Sequence, residues 1–139
     1  MADAPKTTTP PLLKAKRMSH VAFLKQYEAA LASQSWEQVS PCFAEEAVVL
    51  FSEGTFVGKG EIERAFRRTF DLIKDETYSI EDTLWVEVRD TLALCTYTFK
   101  WSGHVGGQLR SGQGRGSSLL VLEGTSWKIK HEHLGPAAA

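Results

Sequence analysis

The sequence is short of the features that most directly assign a function. Its formal net charge is −1 over 139 residues, so no electrostatic field favours binding to nucleic acid or to an anionic membrane surface. No segment approaches the ~18 consecutive apolar residues that a membrane-spanning helix needs, and no apolar signal core with a small-residue cleavage site stands near the start. We therefore expect a cytoplasmic protein without a nucleic-acid or membrane partner.

Cysteine is also scarce. Cys42 and Cys95 are the only two, they stand far apart, and each has apolar neighbours. Closely spaced cysteines are typical of metal sites and redox motifs, and an even set in a small secreted chain is typical of disulfides. Neither pattern is present, so we expect two buried, reduced thiols.

What is present is the composition of one globular domain. Hydrophobic residues make up 42% and charged residues 24% of the chain, which provides enough apolar material for a core at this length. Residues 1–17 are rich in proline, threonine and lysine, and we expect a flexible N-terminal tail there. The predicted domain covers residues 18–135, followed by a short tail at residues 136–139.

Three helices are predicted in the first half of the chain. Apolar residues at spacings of three and four indicate an amphipathic helix from Met18 to Ala32. Ser35 to Gln38 has the form of a capping box, which predicts a short second helix from Trp36. Acidic residues after Gly60 indicate the first turn of a third helix. The side chains expected to be buried are Phe23, Leu24, Tyr27 and Leu31 in the first helix and Ile62, Phe66, Phe70 and Ile73 in the third.

The remaining segments have the alternation and turn residues of β-strands. Short strands are predicted at 47–51 and 55–57, and long antiparallel strands near 78–88, 91–101, 109–122 and 127–134. Gly112, Gly114 and Gly116 alternate along one of them. No helix follows these glycines, as a phosphate-binding loop requires. We expect them to allow a bulge or a sharp curvature of the strand instead.

This order of elements resembles a known fold. Three N-terminal helices followed by a strongly bent antiparallel sheet are similar to the nuclear transport factor 2-like, or cystatin-like, cone that SnoaL-like polyketide cyclases share with ketosteroid isomerases. The segments that carry the resemblance are Cys42–Ala47, Gly58–Glu61 and Trp127–His133, and it extends over about residues 18–134. The resemblance implies an α+β fold in which three helices pack on a curved antiparallel sheet.

The C-terminal third is most similar to the association, or hub, domain of calcium/calmodulin-dependent protein kinase II. Arg110–Gln113 resembles the segment before the penultimate strand of the hub, and Trp127 with a His-x-His ending resembles its last strand. A hub implies assembly with copies of itself, as a homodimer at least or as a larger ring. The positions that carry arginines in the hub pocket are Phe99, Ser118 and Leu134 here, so the resemblance implies a less cationic pocket.

Ketosteroid isomerases of this superfamily use an aspartate base together with a tyrosine and a protonated aspartic acid. In an alignment on the segment 43–46, Tyr27 falls where the tyrosine of the family stands, while the base position is Phe51 and the second acid is Ser118. The resemblance therefore implies that this chemistry is absent. Tyr27 is either the best single pocket residue or a helix residue that packs on the sheet, and we favour packing.

Two groups of strand residues are candidates for a pocket or for the core. Tyr97, Phe99 and Trp101 share one face of a strand, and they suit either a flat apolar ligand or core packing. Arg115 and Glu132 are charged residues on interior strands. They pair with each other inside the pocket, or they form an exposed cross-strand pair.

The last strand carries the aromatic anchor Trp127 and, two positions apart, His131 and His133, which predicts that the two histidines project to one side. Two histidines at this spacing can both reach a metal ion, but no third ligand stands convincingly beside them, so we expect no metal site. We prefer a structural or subunit-contact role for these three residues. No motif indicates a cofactor.

These residues and the resemblance together predict a small self-associating domain that is not catalytic. Its modest apolar pocket would make it a hub-like association module or a binder of a small hydrophobic ligand. The alternative is a cofactor-independent isomerase, dehydratase or cyclase of SnoaL-like type that acts on a hydrophobic molecule. That alternative requires Tyr27, His131 or Glu132 inside the cavity.

Overall fold

The computed structural model describes residues 18–137, and the predicted tail at residues 1–17 lies outside them. The described residues form three helices and one six-stranded sheet, an α+β arrangement. The helices are α1 (His20–Ser33), α2 (Trp36–Val39) and α3 (Lys59–Leu72), with a 3-10 turn at Ser40–Cys42. The strands are β1 (Phe43–Phe51), β2 (Gly54–Val57), β3 (Lys74–Arg89), β4 (Leu92–Val105), β5 (Gln108–Glu123) and β6 (Ser126–Pro136).

The order and direction of these elements correct two expectations. Only α1 and α2 precede the sheet, because α3 follows the β1–β2 hairpin. The strand order is β2-β1-β6-β5-β4-β3, and every neighbouring pair is antiparallel except β1 and β6, which are parallel. The prediction of a wholly antiparallel sheet is therefore wrong at this pair. Two parallel strands cannot be joined by a short hairpin. Here β2, α3 and three long strands connect β1 to β6.

The first helix forms as its sequence predicts. The Ser19 hydroxyl oxygen accepts a hydrogen bond of 3.0 Å from the Ala22 amide, which satisfies one of the free amides at the start of α1. The predicted stripe is buried and consists of Phe23, Leu24, Tyr27 and Leu31. Gln34 ends the helix in the left-handed backbone region at φ 56°.

The second helix begins at Trp36 as predicted, but without a capping box. The Ser35 side chain makes no cap hydrogen bond, and its hydroxyl lies 3.4 Å from Oε1 of Glu37 instead. The carbonyl oxygen of Ser35 accepts hydrogen bonds from the amides of Gln38 and Val39. The backbone already satisfies these two amides, so neither is left to donate a hydrogen bond to the Ser35 hydroxyl.

The alternating glycines of β5 leave room for aromatic rings. Their partners on β4 are Trp101 opposite Gly112, Phe99 opposite Gly114 and Tyr97 opposite Gly116. A methyl group added at Gly112 would lie 2.6 Å from Nε1 of Trp101, and added methyl groups at the other two glycines would lie 2.5 Å from atoms of the opposite ring. The pairing of β4 with β5 shows no register shift, so the expected bulge does not occur at these glycines.

A bulge does occur in β6, and it decides which side chains point inward. Leu120 pairs with Ile129 and Leu119 pairs with His131, so Lys130 is an extra residue in β6. One extra residue reverses the alternation of faces beyond it. Trp127 is buried before the bulge and Glu132 is buried after it. His131 and His133 both follow the bulge and are two positions apart, so they lie on one face of β6, opposite to the face of Trp127.

The core lies between the helices and one face of the sheet, which we call the inner face. Its fully buried members include Val39, Ala47, Val49, Ile62, Leu120 and Ile129. Cys42 and Cys95 are both free and buried, which confirms the prediction of reduced, buried thiols. Within residues 18–137, no helix combines the length and the apolar character that crossing a membrane requires.

Candidate functional site

A cavity of about 600 Å³ opens between α1, α3 and the inner face of the sheet. Five of the nine side chains that the sequence suggested for a pocket line it: Tyr27, Phe51, Phe99, Trp101 and Leu134. Tyr97, Ser118 and Glu132 are not part of its lining and are buried in the protein interior. The cavity therefore brings together five of the suggested side chains and leaves out the other four.

Seven aromatic side chains line the cavity: Tyr27, Phe51, Phe66, Phe70, Tyr78, Phe99 and Trp101. Tyr78 of β3 and Phe99 of β4 are stacked with ring centroids 6.1 Å apart and an interplanar angle of 9°. On the opposite side, Phe51 meets Phe66 of α3 edge-on at 5.6 Å. Flat rings with little rotational freedom suit a flat apolar guest, because they bury large areas at a low cost in side-chain entropy.

A buried carboxyl group lies next to the cavity, behind Tyr27. The Tyr27 hydroxyl donates a hydrogen bond of 2.9 Å to Oε2 of Glu132. The Ser118 hydroxyl donates one of 2.9 Å to Oε1, and the Tyr97 hydroxyl lies 3.3 Å from the same oxygen. Burial raises the pKa of Glu132 and these hydrogen bonds lower it, and because burial has the larger effect the pKa is raised to about 7. Tyr27 is the one member of this group that also lines the cavity.

A second carboxyl group lies in the cavity wall itself. Glu76 lines the cavity, and burial raises its pKa to about 7. A bulge at the start of β3 places it there: Lys74 pairs with His104 and Thr77 with Ser102, so that two residues of β3 stand opposite Gly103. This close approach requires glycine, because a methyl group at position 103 would lie 3.0 Å from the carbonyl oxygen of Lys74.

Comparison with known proteins agrees with this architecture. Residues 21–139 match the model of the SnoaL-like domain family. The chain belongs to this family. No curated protein matches it.

Solved structures similar to this SnoaL-like domain share its nuclear transport factor 2-like, cystatin-like fold. A nuclear transport factor 2-like superfamily protein from Salmonella enterica has a TM-score of 0.77 at 17% identity over 84% of this chain and 87% of the other. A protein from Xanthomonas campestris, provisionally described as a calcium/calmodulin-dependent protein kinase II association domain, has a TM-score of 0.75 at 19% identity over 84% of both chains. A provisionally described dehydratase from Streptomyces avermitilis has a TM-score of 0.75 at 17% identity over 84% and 92%. Identities this low show the shared fold alone.

Arg115 does not belong to the cavity of this SnoaL-like domain. It pairs with Thr98 across β4 and with Gly135 across β6, and its side chain is exposed on the outer face of the sheet. Glu132 pairs with Ser118 and faces inward. The suggested pairing of Arg115 with Glu132 is therefore wrong, because the two side chains leave the sheet on opposite faces.

The two histidines of β6 also lie outside the cavity. Nδ1 of His131 is 2.8 Å from the carbonyl oxygen of Val48, a contact that joins β6 to β1. His133 is exposed. Trp127 is buried, and its indole nitrogen donates a hydrogen bond of 3.1 Å to the carbonyl oxygen of Met18. Among residues 18–137, His, Cys, Asp and Glu side chains form no group of three that could hold a metal ion.

The sequence interpretation missed Glu76 and Tyr78 as cavity residues. The signal was present, since Glu76, Tyr78 and Ile80 stand at alternate positions of one strand. Extending the alternation by one step towards the N-terminus would have placed Glu76 on the inner face with Tyr78. The bulge opposite Gly103 left no comparable signal, because it depends on packing between two strands.

Proposed function

We propose that this SnoaL-like domain binds a small, flat, largely apolar molecule in its cavity. The observation that carries the proposal is the aromatic cavity of about 600 Å³, a size typical of sites for small organic ligands. The resemblance to ketosteroid isomerases assigns the acid positions of that family to Phe51 and Ser118, and the hydroxyl of Tyr27 is directed to Glu132. These three observations favour binding without that family's isomerase chemistry.

Isothermal titration with naphthalen-1-ylmethanol, a neutral two-ring compound, tests this proposal. We expect saturable binding, and we expect it to be lost in Leu134→Trp, which fills the cavity. Leu109→Trp adds the same ring at a position that is 71% exposed, so it should bind like the wild type. If Leu134→Trp fails to fold by circular dichroism, Thr69→Trp at the cavity wall replaces it. Absence of saturable binding, or equal binding by the filled variant, would contradict the proposal.

We also propose that the domain self-associates through the outer face of its sheet. An outer-face patch is formed by Leu84, Leu92, Leu94, Leu119 and Val121. Leu94 lies opposite Leu119 and alternates with fully buried neighbours, so it points away from the core. Beside the patch, Glu87 and Arg89 form an ion pair of 2.7 Å. A face that carries both charge signs is complementary to a second copy of itself around a two-fold axis.

Native mass spectrometry and light scattering over a range of concentrations test self-association. A dimer supports the proposal, and a ring of many subunits supports it in its hub-like form. Leu84→Glu should shift the protein towards the monomer at little risk to the fold, because Leu84 is 68% exposed. Leu109→Glu is the matched control outside the patch. A monomer at every concentration, or equal masses for both variants, would refute the interface.

A second candidate function is a cofactor-independent isomerase, dehydratase or cyclase. The observation that favours it is Glu76, a carboxyl group in the cavity with a pKa of about 7, which suits general acid–base catalysis near neutral pH. Its carboxylate would take a proton from the carbon next to a carbonyl group and return one to the same or another carbon. In D2O, a cyclic ketone would then incorporate deuterium faster with the wild type than with Glu76→Gln. Equal rates would argue against this function.

A further inference from the structure

The cavity contains a carboxyl group that lacks a protein partner. Among residues 18–137, no hydrogen-bond donor or cation contacts the Glu76 side chain, although Glu132 accepts hydrogen bonds from three hydroxyls and Glu28 accepts one of 2.6 Å from the Ile80 amide. Desolvation without a partner disfavours a carboxylate. A cationic ligand would provide the missing partner.

The side chain of Gln34 fixes the backbone that carries this carboxyl group. Nε2 of Gln34 donates a hydrogen bond of 2.6 Å to the carbonyl oxygen of Ile73, and Oε1 of the same side chain accepts one of 3.2 Å from the Glu76 amide. One side chain thus binds the backbone on both sides of the bulge. Asp75, between these two points, adopts a positive φ of 52°. Backbone held in this way loses little freedom when a ligand binds.

The charge balance of the cavity favours a cation over an anion. Its charged lining residues are Glu53, Glu76 and Arg110. Arg110 and Glu53 are exposed at the cavity mouth, and the Arg110 guanidinium donates a hydrogen bond of 3.4 Å to Gln108. The Lys74 ammonium group is directed to the carbonyl oxygen of Phe70 at 3.5 Å. Glu76 is thus the most enclosed charged group of the lining.

The rings beside Glu76 suit the same ligand. Tyr78 follows two residues later on the same face, stacked on Phe99, and Trp101 lies opposite Tyr78 on β4. Aromatic faces attract ammonium groups, and more strongly when water is excluded. We propose that the cavity selects a small aromatic amine-bearing molecule, with its ammonium group paired to the Glu76 carboxylate and its ring against Tyr78, Phe99 and Trp101. This inference rests on the proposed ligand binding and narrows its chemistry.

The pairing has a definite pH dependence. Glu76 must be ionised to hold the ammonium group, and its pKa is about 7 without a ligand. Amine affinity should therefore rise as the pH increases through about 7, until the amine itself loses its proton at higher pH. The affinity of a neutral analogue should stay constant over this range. Glu28, Glu53, Lys74 and Arg110 are the other charged groups near the site, and each is bonded elsewhere or exposed.

Three compounds of nearly equal shape test the inference by isothermal titration: naphthalen-1-ylmethanamine, naphthalen-1-ylmethanol and 1-naphthoic acid. At about pH 8, where Glu76 is ionised and the amine is still charged, the amine should bind wild-type protein roughly tenfold more tightly than the alcohol. The acid should bind most weakly. Glu76→Gln should lower the amine affinity to that of the alcohol and leave the alcohol affinity unchanged within about twofold.

Asp75→Asn is the matched control, because it neutralises the adjacent carboxylate and asparagine tolerates the positive φ at that position. It should keep the preference for the amine. Two results would overturn the amine inference: equal affinities of the amine and the alcohol for the wild type, or a preference for the amine that Glu76→Gln retains. In either case, binding of the alcohol would still support the proposed function. Failure of all three compounds to bind would overturn both. Thermal melting of each variant establishes that it is folded.

Discussion

Tyr27 and Glu132 are both buried, and the Tyr27 hydroxyl donates a hydrogen bond of 2.9 Å to Oε2 of Glu132. The two residues stand 105 positions apart in the chain, so this bond joins α1 to β6. Burial raises the pKa of the Tyr27 phenol well above its usual value, and the Glu132 carboxylate raises it further. Tyr27 therefore remains a neutral donor throughout the physiological pH range.

Removing this donor should destabilise the protein. Tyr27→Phe leaves a buried carboxyl group with one hydrogen bond fewer, which should lower the free energy of unfolding by about 1–3 kcal/mol. Tyr78→Phe is the matched control, because the Tyr78 hydroxyl has no hydrogen-bond partner among residues 18–137, and its effect should stay within about 0.5 kcal/mol. Urea denaturation measures both variants. Equal losses would show that the bond to Glu132 contributes no net stability.

The raised pKa of Glu132 predicts a stability that depends on pH. Its pKa is about 7 in the folded protein against an ordinary value of 4.5, so the folded state retains a proton that the unfolded state has released. Stability is therefore highest below the unfolded value, falls as the pH rises from about 4.5 to about 7, and is constant above. For a fully buried group, the total loss is on the order of 3 kcal/mol.

Glu132→Gln removes this titration and keeps the size of the side chain. We expect the free energy of unfolding of the variant to fall less steeply between about pH 5 and pH 7 than that of the wild type. The remaining slope should reflect Glu76, whose pKa is also raised to about 7 by burial. Chemical denaturation at four or five pH values gives both curves. Parallel curves would mean that Glu132 does not titrate in this range.

The buried thiols should be almost unreactive in the folded protein. Burial raises the pKa of Cys42 to about 11 and that of Cys95 to about 12, and the thiolate is the nucleophile. At about pH 8, fewer than roughly one in a hundred of either thiol is ionised, against an ordinary thiol pKa near 8.5. Intact-mass measurement should show no alkylation of native protein by iodoacetamide and two additions in urea. Rapid labelling of the native form would contradict the burial of these side chains.

Local sequence patterns were sufficient to predict the helices and strands, but not which side chains of the last strand point inward. The spacing of Phe23, Leu24, Tyr27 and Leu31 predicts a helix and its buried side, because each choice depends only on residues within two turns. The extra residue at Lys130 depends on how β6 pairs with β5 and with β1, and nothing in the alternation signals it. That single residue turns Glu132 inward and His131 outward.

Two side chains of the cavity wall could be placed on a common face for the same reason. Phe99 and Trp101 share a face by strict alternation, and both line the cavity. The pairing of Arg115 with Glu132 failed, because it required the relative register of two strands that a local pattern does not contain. Parallel pairing of β1 with β6 is likewise a property of the whole chain path.

The glycines of β5 lead to the last prediction. Phe99 lies across from Gly114, and a methyl group at position 114 would lie 2.5 Å from the ring and would also collide with the carbonyl oxygen of Gly135. Real methyl groups do not approach other atoms so closely, so the strands or the ring must shift. Gly114→Ala should therefore lower the free energy of unfolding by about 1–3 kcal/mol or more.

Gly135→Ala is the control for this substitution, since a methyl group there meets no atom within 4 Å. Its effect on the free energy of unfolding should be small, within about 0.5 kcal/mol. Because the Phe99 ring also lines the cavity, a folded Gly114→Ala protein should in addition bind naphthalen-1-ylmethanol more weakly than Gly135→Ala does. Urea denaturation and titration of the two variants give both results. If the two were equally stable and bound equally well, the glycine at 114 would have no role in seating the ring, and the cavity wall would have to be held by the helices instead.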